Sequence, residues 1–246
     1  MPRQRREKSS TGFYHVMLHG INKNELFLED DDREYFLKVI AEKKVQEGFC
    51  LNAYCLMDTH VHLLLKEADS ELAVIMKRIN ICYASFFNHK YARTGPVFHD
   101  RYKSERIENE RYLLAAARYI HQNPVKAHIV VRPEHYRWSS YCEYLSSRPE
   151  GIVDTGLLLS LFGCRAGKPS AEFKEFMTAE EHVKFLDVRD RQEGRDQACE
   201  LWQSLANINY DEKSKVVRLK NETGVSERTL SQITGLGRTK IRNLLR

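Results

Sequence analysis

The 246-residue chain is long enough for one well-packed domain and a smaller second one. Its 39 Lys and Arg against 34 Asp and Glu leave a formal net charge of +5, which favours an anionic partner without naming one. The six cysteines (Cys50, Cys55, Cys82, Cys142, Cys164, Cys199) are scattered without a CxxC pair and read as reduced, mostly buried thiols. No window approaches the ~18 consecutive apolar residues of a membrane helix, and the opening MPRQRREKSS lacks an apolar signal core, so a cytosolic protein is expected.

Taken in order, Arg3, Arg5, Arg6 and Lys8 make a basic tail, either a phosphate contact or a solvated chain end. After Gly12, FYHVMLHG has the aromatic and β-branched content of a strand. DDDREYFLKVIAEKKVQEG reads as an amphipathic helix that opens on acidic residues and stops at Gly48. FCLNAYCLM and HVHLLLKE predict two strands with a turn at Asp58 and Thr59, and ELAVIMKRINICYASFFNHKYA predicts a long helix packed on them, giving an α+β sheet domain. Beyond Gly95 and Pro96, PVFHDRYKSERIE predicts a further extended segment, and ERYLLAAARYIHQN a helix that Pro124 ends. From about Cys164 to Glu200 the composition turns charged and weakly periodic, and no internal repeat is present. The last stretch, VSERTLSQITGLGRTKIRNLLR, predicts a helix, a turn at Gly235 and a second helix. The expected organisation is a catalytic domain over 1–163, a charged connector over 164–194 and a helix-turn-helix segment over 195–246.

Residues two apart on a strand share a face, so His60 and His62 present two imidazoles together while Val61 faces the core. Alone, such a pair is as readily structural as catalytic. A third partner stands in RYIHQNPVKA, where Tyr119 and Asn123 are one helical turn apart and Asn123, just ahead of Pro124, is expected at the helix end with its amide oxygen directed outward. Two imidazoles, an amide oxygen and a phenol form a set suited to phosphodiester transesterification. A mixed nitrogen and oxygen site suits Mg²⁺ or Mn²⁺, and the Tyr119 phenol is the nucleophile, leaving a 5′-phosphotyrosine and a free 3′-OH. Arg93, Arg101, Lys103, Arg106 and Arg111, interleaved with Phe98, His99 and Tyr102, fit a single-strand binder whose cations track phosphates and whose aromatics stack on bases; a solvated charged edge is the alternative.

MDTHVHLLL resembles the histidine-hydrophobe-histidine motif of HUH endonucleases, and GPVFHDRYKS, RYIHQNPVKA and YRWSSYCEYL together resemble the REP-associated tyrosine transposases, relatives of single-tyrosine insertion-sequence transposases. The resemblance spans roughly residues 11–145. It implies a ferredoxin-like or RRM-like antiparallel sheet with helices on one side, His60, His62 and Asn123 as metal ligands, Tyr119 as nucleophile, and single-stranded or hairpin DNA, typically a palindromic repeat, as partner. Two departures stand out: His19 replaces a common Arg, and Asp58-Thr59 replaces Pro-Asn before the first histidine. Neither is expected to touch the metal or the nucleophile.

In the C-terminal segment Ser226 can cap the first helix, Leu230, Ile233, Leu236, Ile241 and Leu244 face inward, and Thr239, Lys240, Arg242 and Asn243 face outward, with Lys240 and Arg242 set to meet duplex DNA. A protein contact is the alternative. Three rival functions are a DNA-binding regulator with a vestigial nuclease site, a relaxase or replication initiator, and an RNA-binding protein. The intact HVH, Tyr119 and Asn123 argue against the first, the YIHQNPVKA context against the second, and histidines in place of exposed aromatics against the third. A chain ending near Ser170 is expected to keep its cleavage activity.

Overall fold

The computed structural model describes residues 7–146, 151–164, 169–179, 198–205, 211–223, 225 and 227–245. Arg3, Arg5, Arg6, the expected cap Ser226 and the connector residues 165–168 and 180–194 lie outside the described residues. The chain divides into two compact units, Met1–Phe185 and Leu186–Arg246.

In the first unit, β1 (Phe13–His19), α1 (Asp30–Glu47), β2 (Cys50–Met57), β3 (His60–Lys66), α2 (Leu72–Lys90) and β4 (Lys103–Ile107) follow one another in a βαββαβ order. They build one antiparallel sheet, β2-β3-β1-β4, which is the ferredoxin-like arrangement. β1 runs parallel to β2, and β3 to β4, so α1 and α2 are the two crossovers, and right-handed crossovers place both on one face. That face is the apolar parity of the strands: Val16, Leu18, Val61, Leu63 and Leu65 are all buried. α1 starts on a capping box between Glu29 and Asp32 and ends at Gly48, whose φ of 65° is the left-handed conformation that closes a helix without steric cost. In the extended segment expected from Pro96 onward, only Lys103–Ile107 is strand, with an isolated bridge from Phe98 to Gly20.

The opposite face carries His15, Met17, His19, His60 and His62, and a further helix, α3 (Glu110–Lys126), packs over it. α3 does not end at Pro124. It runs on to Lys126, with Ala127 N–H bonded to the Asn123 carbonyl at 2.9 Å, while the Pro124 carbonyl takes the Ile129 N–H at 3.0 Å. A proline inside a helix loses one backbone donor, and here the Pro124 ring is buried. Asn123 therefore sits inside the helix, buried to 3% exposure, rather than at an open end.

Two neighbours pin α3. His121 Nε2 meets Ser140 Oγ at 2.9 Å, and the same hydroxyl accepts from the Tyr54 N–H of β2 at 2.9 Å; burial pulls the His121 pKa down to about 3, keeping it neutral. The YRWSSYCEYL stretch covers the open edge of β2, with Tyr136 Oη donating to the Leu56 carbonyl at 2.7 Å, Leu56 N–H to the Trp138 carbonyl at 2.9 Å, and Ser140 N–H to the Tyr54 carbonyl at 3.0 Å. α4 (Tyr141–Leu145) and α5 (Gly156–Ser160) continue this layer.

α6 (Ala171–Thr178) falls in the segment read from sequence as connector, yet it packs on α3. Phe173 and Met177 are fully buried, Arg118 of α3 lies 4.3 Å over the Phe176 ring, and Gln122 Nε2 donates to the Met177 carbonyl at 2.7 Å. The unit thus reaches past residue 163, and a chain ending near Ser170 would lose part of its core. All six cysteines are free thiols, but only Cys55 is fully buried and Cys142 is exposed, so the expectation of mostly buried thiols is corrected.

The second unit contains α7 (198–205), α8 (Glu212–Thr223), α9 (Glu227–Thr234) and α10 (Arg238–Leu244). Ala198, Val216, Leu219, Leu230 and Ile241 form its core, with Ile233, Leu236 and Leu244 packed against them. Gly235, at φ 74°, makes the turn between α9 and α10. Among the described residues no helix is long and apolar enough to cross a membrane.

Candidate active site

Strand parity and register assemble the site. β1 pairs Met17 with His62 and His19 with His60, while β4 pairs Glu105 with His15, so residues from three strands share the face under α3. Tyr119 reaches down from α3 and sets its ring edge-on to His62 at 5.6 Å and to His15 at 5.7 Å between centroids, and His60 lies 5.1 Å from His62. The structure therefore brings together His60, His62 and Tyr119, as the sequence predicts. Asn123 follows one turn on, and its Nδ2 makes a long 3.4 Å contact with the Tyr119 carbonyl, which leaves Oδ1 as the atom for another partner.

Both histidines are engaged through Nδ1. His62 Nδ1 lies 3.0 Å from His15 Nε2 in a fully buried pair, and His60 Nδ1 lies 3.2 Å from Thr59 Oγ1. Each imidazole is thereby oriented through Nδ1, so that a cation, if held here, would meet Nε2. Among the described residues no group of three His, Cys, Asp or Glu side chains is placed to hold a metal. The donor chemistry nonetheless fits a hard divalent ion, because two Nε2 atoms and the Asn123 amide oxygen make a mixed nitrogen and oxygen set that a phosphate oxygen completes.

Both sequence departures touch His60: Thr59 Oγ1 bonds its Nδ1, and the His19 ring stacks on it at 5.6 Å with 13° between planes. Three further residues, His15, Glu105 and Lys126, went unrecognised in the sequence as parts of the site, and Tyr112 reads there only as the alternative nucleophile. His15 and Glu105 join His62 through non-local strand pairing, with His15 Nδ1 3.4 Å from Glu105 Oε2. Tyr112 Oη donates to the same carboxylate oxygen at 3.3 Å; burial, and then the Glu105 charge, push its pKa up, so it remains a phenol. Lys126, seven residues after Tyr119 and so on much the same helix face, holds its Nζ 4.4 Å over the Tyr119 ring.

The predicted basic set divides. Lys103 shares the His15 face by alternation, and Arg111 is exposed in the first turn of α3. Arg106 points the other way and pairs with Glu7 at 3.0 Å, Arg93 packs over Phe87 at 5.4 Å, and Arg101 lines a groove with Tyr14, Glu67 and Glu71. Tyr102 is buried in the core, which corrects the stacking expectation for that residue; Phe98 is partly buried and packs on Tyr83 at 6.2 Å, and His99 is exposed. In the second unit Thr239, Lys240, Arg242 and Asn243 are exposed; Lys240 pairs with Glu212 at 2.6 Å and Arg242 with Glu227 at 3.1 Å.

Residues 8–123 match the family model of IS200-like transposases. That stretch, a little under half of the chain, is what is similar to the family. A solved structure of a REP-associated tyrosine transposase bound to a REP hairpin shares the fold, with a TM-score of 0.51 and 17% identity over 75% of this chain and 100% of that one. A candidate transposase from Deinococcus radiodurans R1 is 16% identical over 52% of this chain and 95% of its own, at a TM-score of 0.36. The comparison with curated proteins found no match. The matched stretch ends, at residue 123, on Asn123 of the candidate site.

Proposed function

We propose that the first unit is a metal-dependent endonuclease and strand-transferase for single-stranded or hairpin DNA, acting through a 5′-phosphotyrosine on Tyr119. One observation carries the reading: the Tyr119 ring of α3 lies edge-on against both His62 and His15, beside His60. His60, His62 and Asn123 would hold Mg²⁺ or Mn²⁺. When bound, such an ion supplies Lewis-acid polarisation of a non-bridging phosphate oxygen.

The chain's own residues do the rest. Tyr119 Oη attacks the scissile phosphorus, the new O–P bond replaces the P–O3′ bond, the phenol loses its proton and the 3′ oxygen gains one. The phosphodiester-level bond is kept for later joining. The Lys126 ammonium, 4.4 Å over the Tyr119 ring, holds a cation beside the nucleophile, where it would meet a phosphate of the substrate. Lys103 and Arg111 are placed to meet phosphates near the site, and the hairpin held by the compared REP-associated transposase supports a palindromic repeat as substrate. For the second unit we propose duplex DNA contact through α10, with Lys240 and Arg242 exchanging their glutamate partners for phosphates.

Strand polarity tests the chemistry. A hairpin oligonucleotide labelled at its 3′ end should become protein-linked under denaturing conditions, while a 5′ label should be released on a fragment ending in 3′-OH. Linkage of the 5′ label instead, or two protein-free fragments at every time point, overturns the proposal.

A further inference from the structure

The bond between His62 Nδ1 and His15 Nε2 is buried, and in such a pair one nitrogen donates and the other accepts. The chain of contacts decides which. At its far end stands Glu105, whose carboxylate only accepts, and Tyr112 already donates to it. A neutral His15 then carries its one ring proton on Nδ1, toward Glu105, and Nε2 is the accepting nitrogen. His62 Nδ1 must in turn carry the proton toward His15, which leaves His62 Nε2 as a lone pair. We propose that His15 and Glu105 are positioning residues that fix His62 in the single tautomer able to bind a divalent cation, and that a carboxylate-imidazole-imidazole relay makes that nitrogen a better ligand. The inference rests on the metal-dependent reading above.

His60 is held differently, because its Nδ1 partner, the Thr59 hydroxyl, donates or accepts with equal ease. The two histidines of one motif thus differ: His62 is set by three strands, with His15 on β1 and Glu105 on β4, whereas His60 Nδ1 is met by its neighbour in sequence. His60 is consequently an internal control for any change made to the relay.

The test uses full-length, metal-free, ¹⁵N-labelled protein, in which long-range imidazole correlations report which nitrogen carries the proton, followed by Mn²⁺ titration calorimetry. In the wild type, His62 and His15 should both show the proton on Nδ1. Glu105→Gln keeps an acceptor but removes the charge, so the tautomer should persist while Mn²⁺ affinity falls. His15→Phe removes the acceptor, so His62 should become a tautomer mixture with His60 signals unmoved, and Mn²⁺ affinity should fall about 10- to 100-fold, as when the hydrogen-bond partner of a ligating imidazole is removed elsewhere. A wild-type His62 protonated on Nε2 overturns the proposal without any variant needing to fold. Mn²⁺ binding unchanged in both variants overturns the relay while leaving the metal reading intact. Wild-type protein that binds no Mn²⁺ overturns the metal reading itself, and with it the purpose assigned to the relay.

Discussion

Phe173→Ala tests whether α6 belongs to the catalytic unit. Phe173 is fully buried, stacks on Tyr144 at 5.5 Å and meets Phe162 edge-on at 5.4 Å, one helical turn from the equally buried Met177. Truncating such a phenylalanine costs about 3–5 kcal/mol through reduced burial and the cavity left behind. Against a total stability of about 5–15 kcal/mol this is a large fraction. For a unit of this size each kcal/mol moves the midpoint by about 2–4 °C, so a fall of roughly 6–20 °C is expected. Phe176→Ala, which removes a partly buried ring and its Arg118 partner, should cost nearer ~1 kcal/mol. Thermal melting followed by circular dichroism reads both. By the same packing, a chain ending at Ser170 should fail to cut a supplied hairpin, whereas one ending at Ala179 should cut it. Wild-type melting in Phe173→Ala, together with full cleavage by the chain ending at Ser170, would refute the assignment of α6 to this unit.

Three further outcomes are expected. His60→Ala and His62→Ala should each abolish metal-dependent cleavage, and EDTA should silence the wild type with Mg²⁺ or Mn²⁺ restoring it; cleavage surviving exhaustive chelation rules the metal out. Lys126→Met should weaken hairpin binding and slow adduct formation, because a cation beside the nucleophile is lost; wild-type binding and rate in a gel-shift and adduct assay would remove Lys126 from the site. Lys240→Ala with Arg242→Ala should weaken duplex binding and reduce the salt slope by roughly 0.9 for each phosphate that is no longer neutralised, and an unchanged slope in filter binding would leave a protein contact as the better account of α10.

Much of the site is legible in the sequence because it is local. The parity of HVH on a strand and the one-turn spacing of Tyr119 and Asn123 need no knowledge of the rest of the chain. The sheet elements are also readable, since FYHVMLH, CLNAYCLM and HVHLLLK carry strand composition between clear helices. The relay is not, because His15, His62 and Glu105 meet only through the register of β1 with β3 and β4, and nothing within one strand states the parity of another. Pro124 misleads for a different reason: its missing N–H and ring clash are local costs, and α3 continues past them by two residues to Lys126 with the proline buried. α6 does leave a signal, Phe173, Phe176 and Met177 at helical spacing, which the surrounding charge obscures.

The central claim is that the Tyr119 oxygen forms the bond to DNA. Wild-type protein incubated with a hairpin oligonucleotide and Mn²⁺, then digested and analysed by mass spectrometry, should yield a nucleotide-linked peptide with the adduct on Tyr119, and Tyr119→Phe should yield none while retaining hairpin binding. An adduct that persists in Tyr119→Phe, or that maps to Tyr112, whose hydroxyl the structure commits to Glu105, would contradict the account.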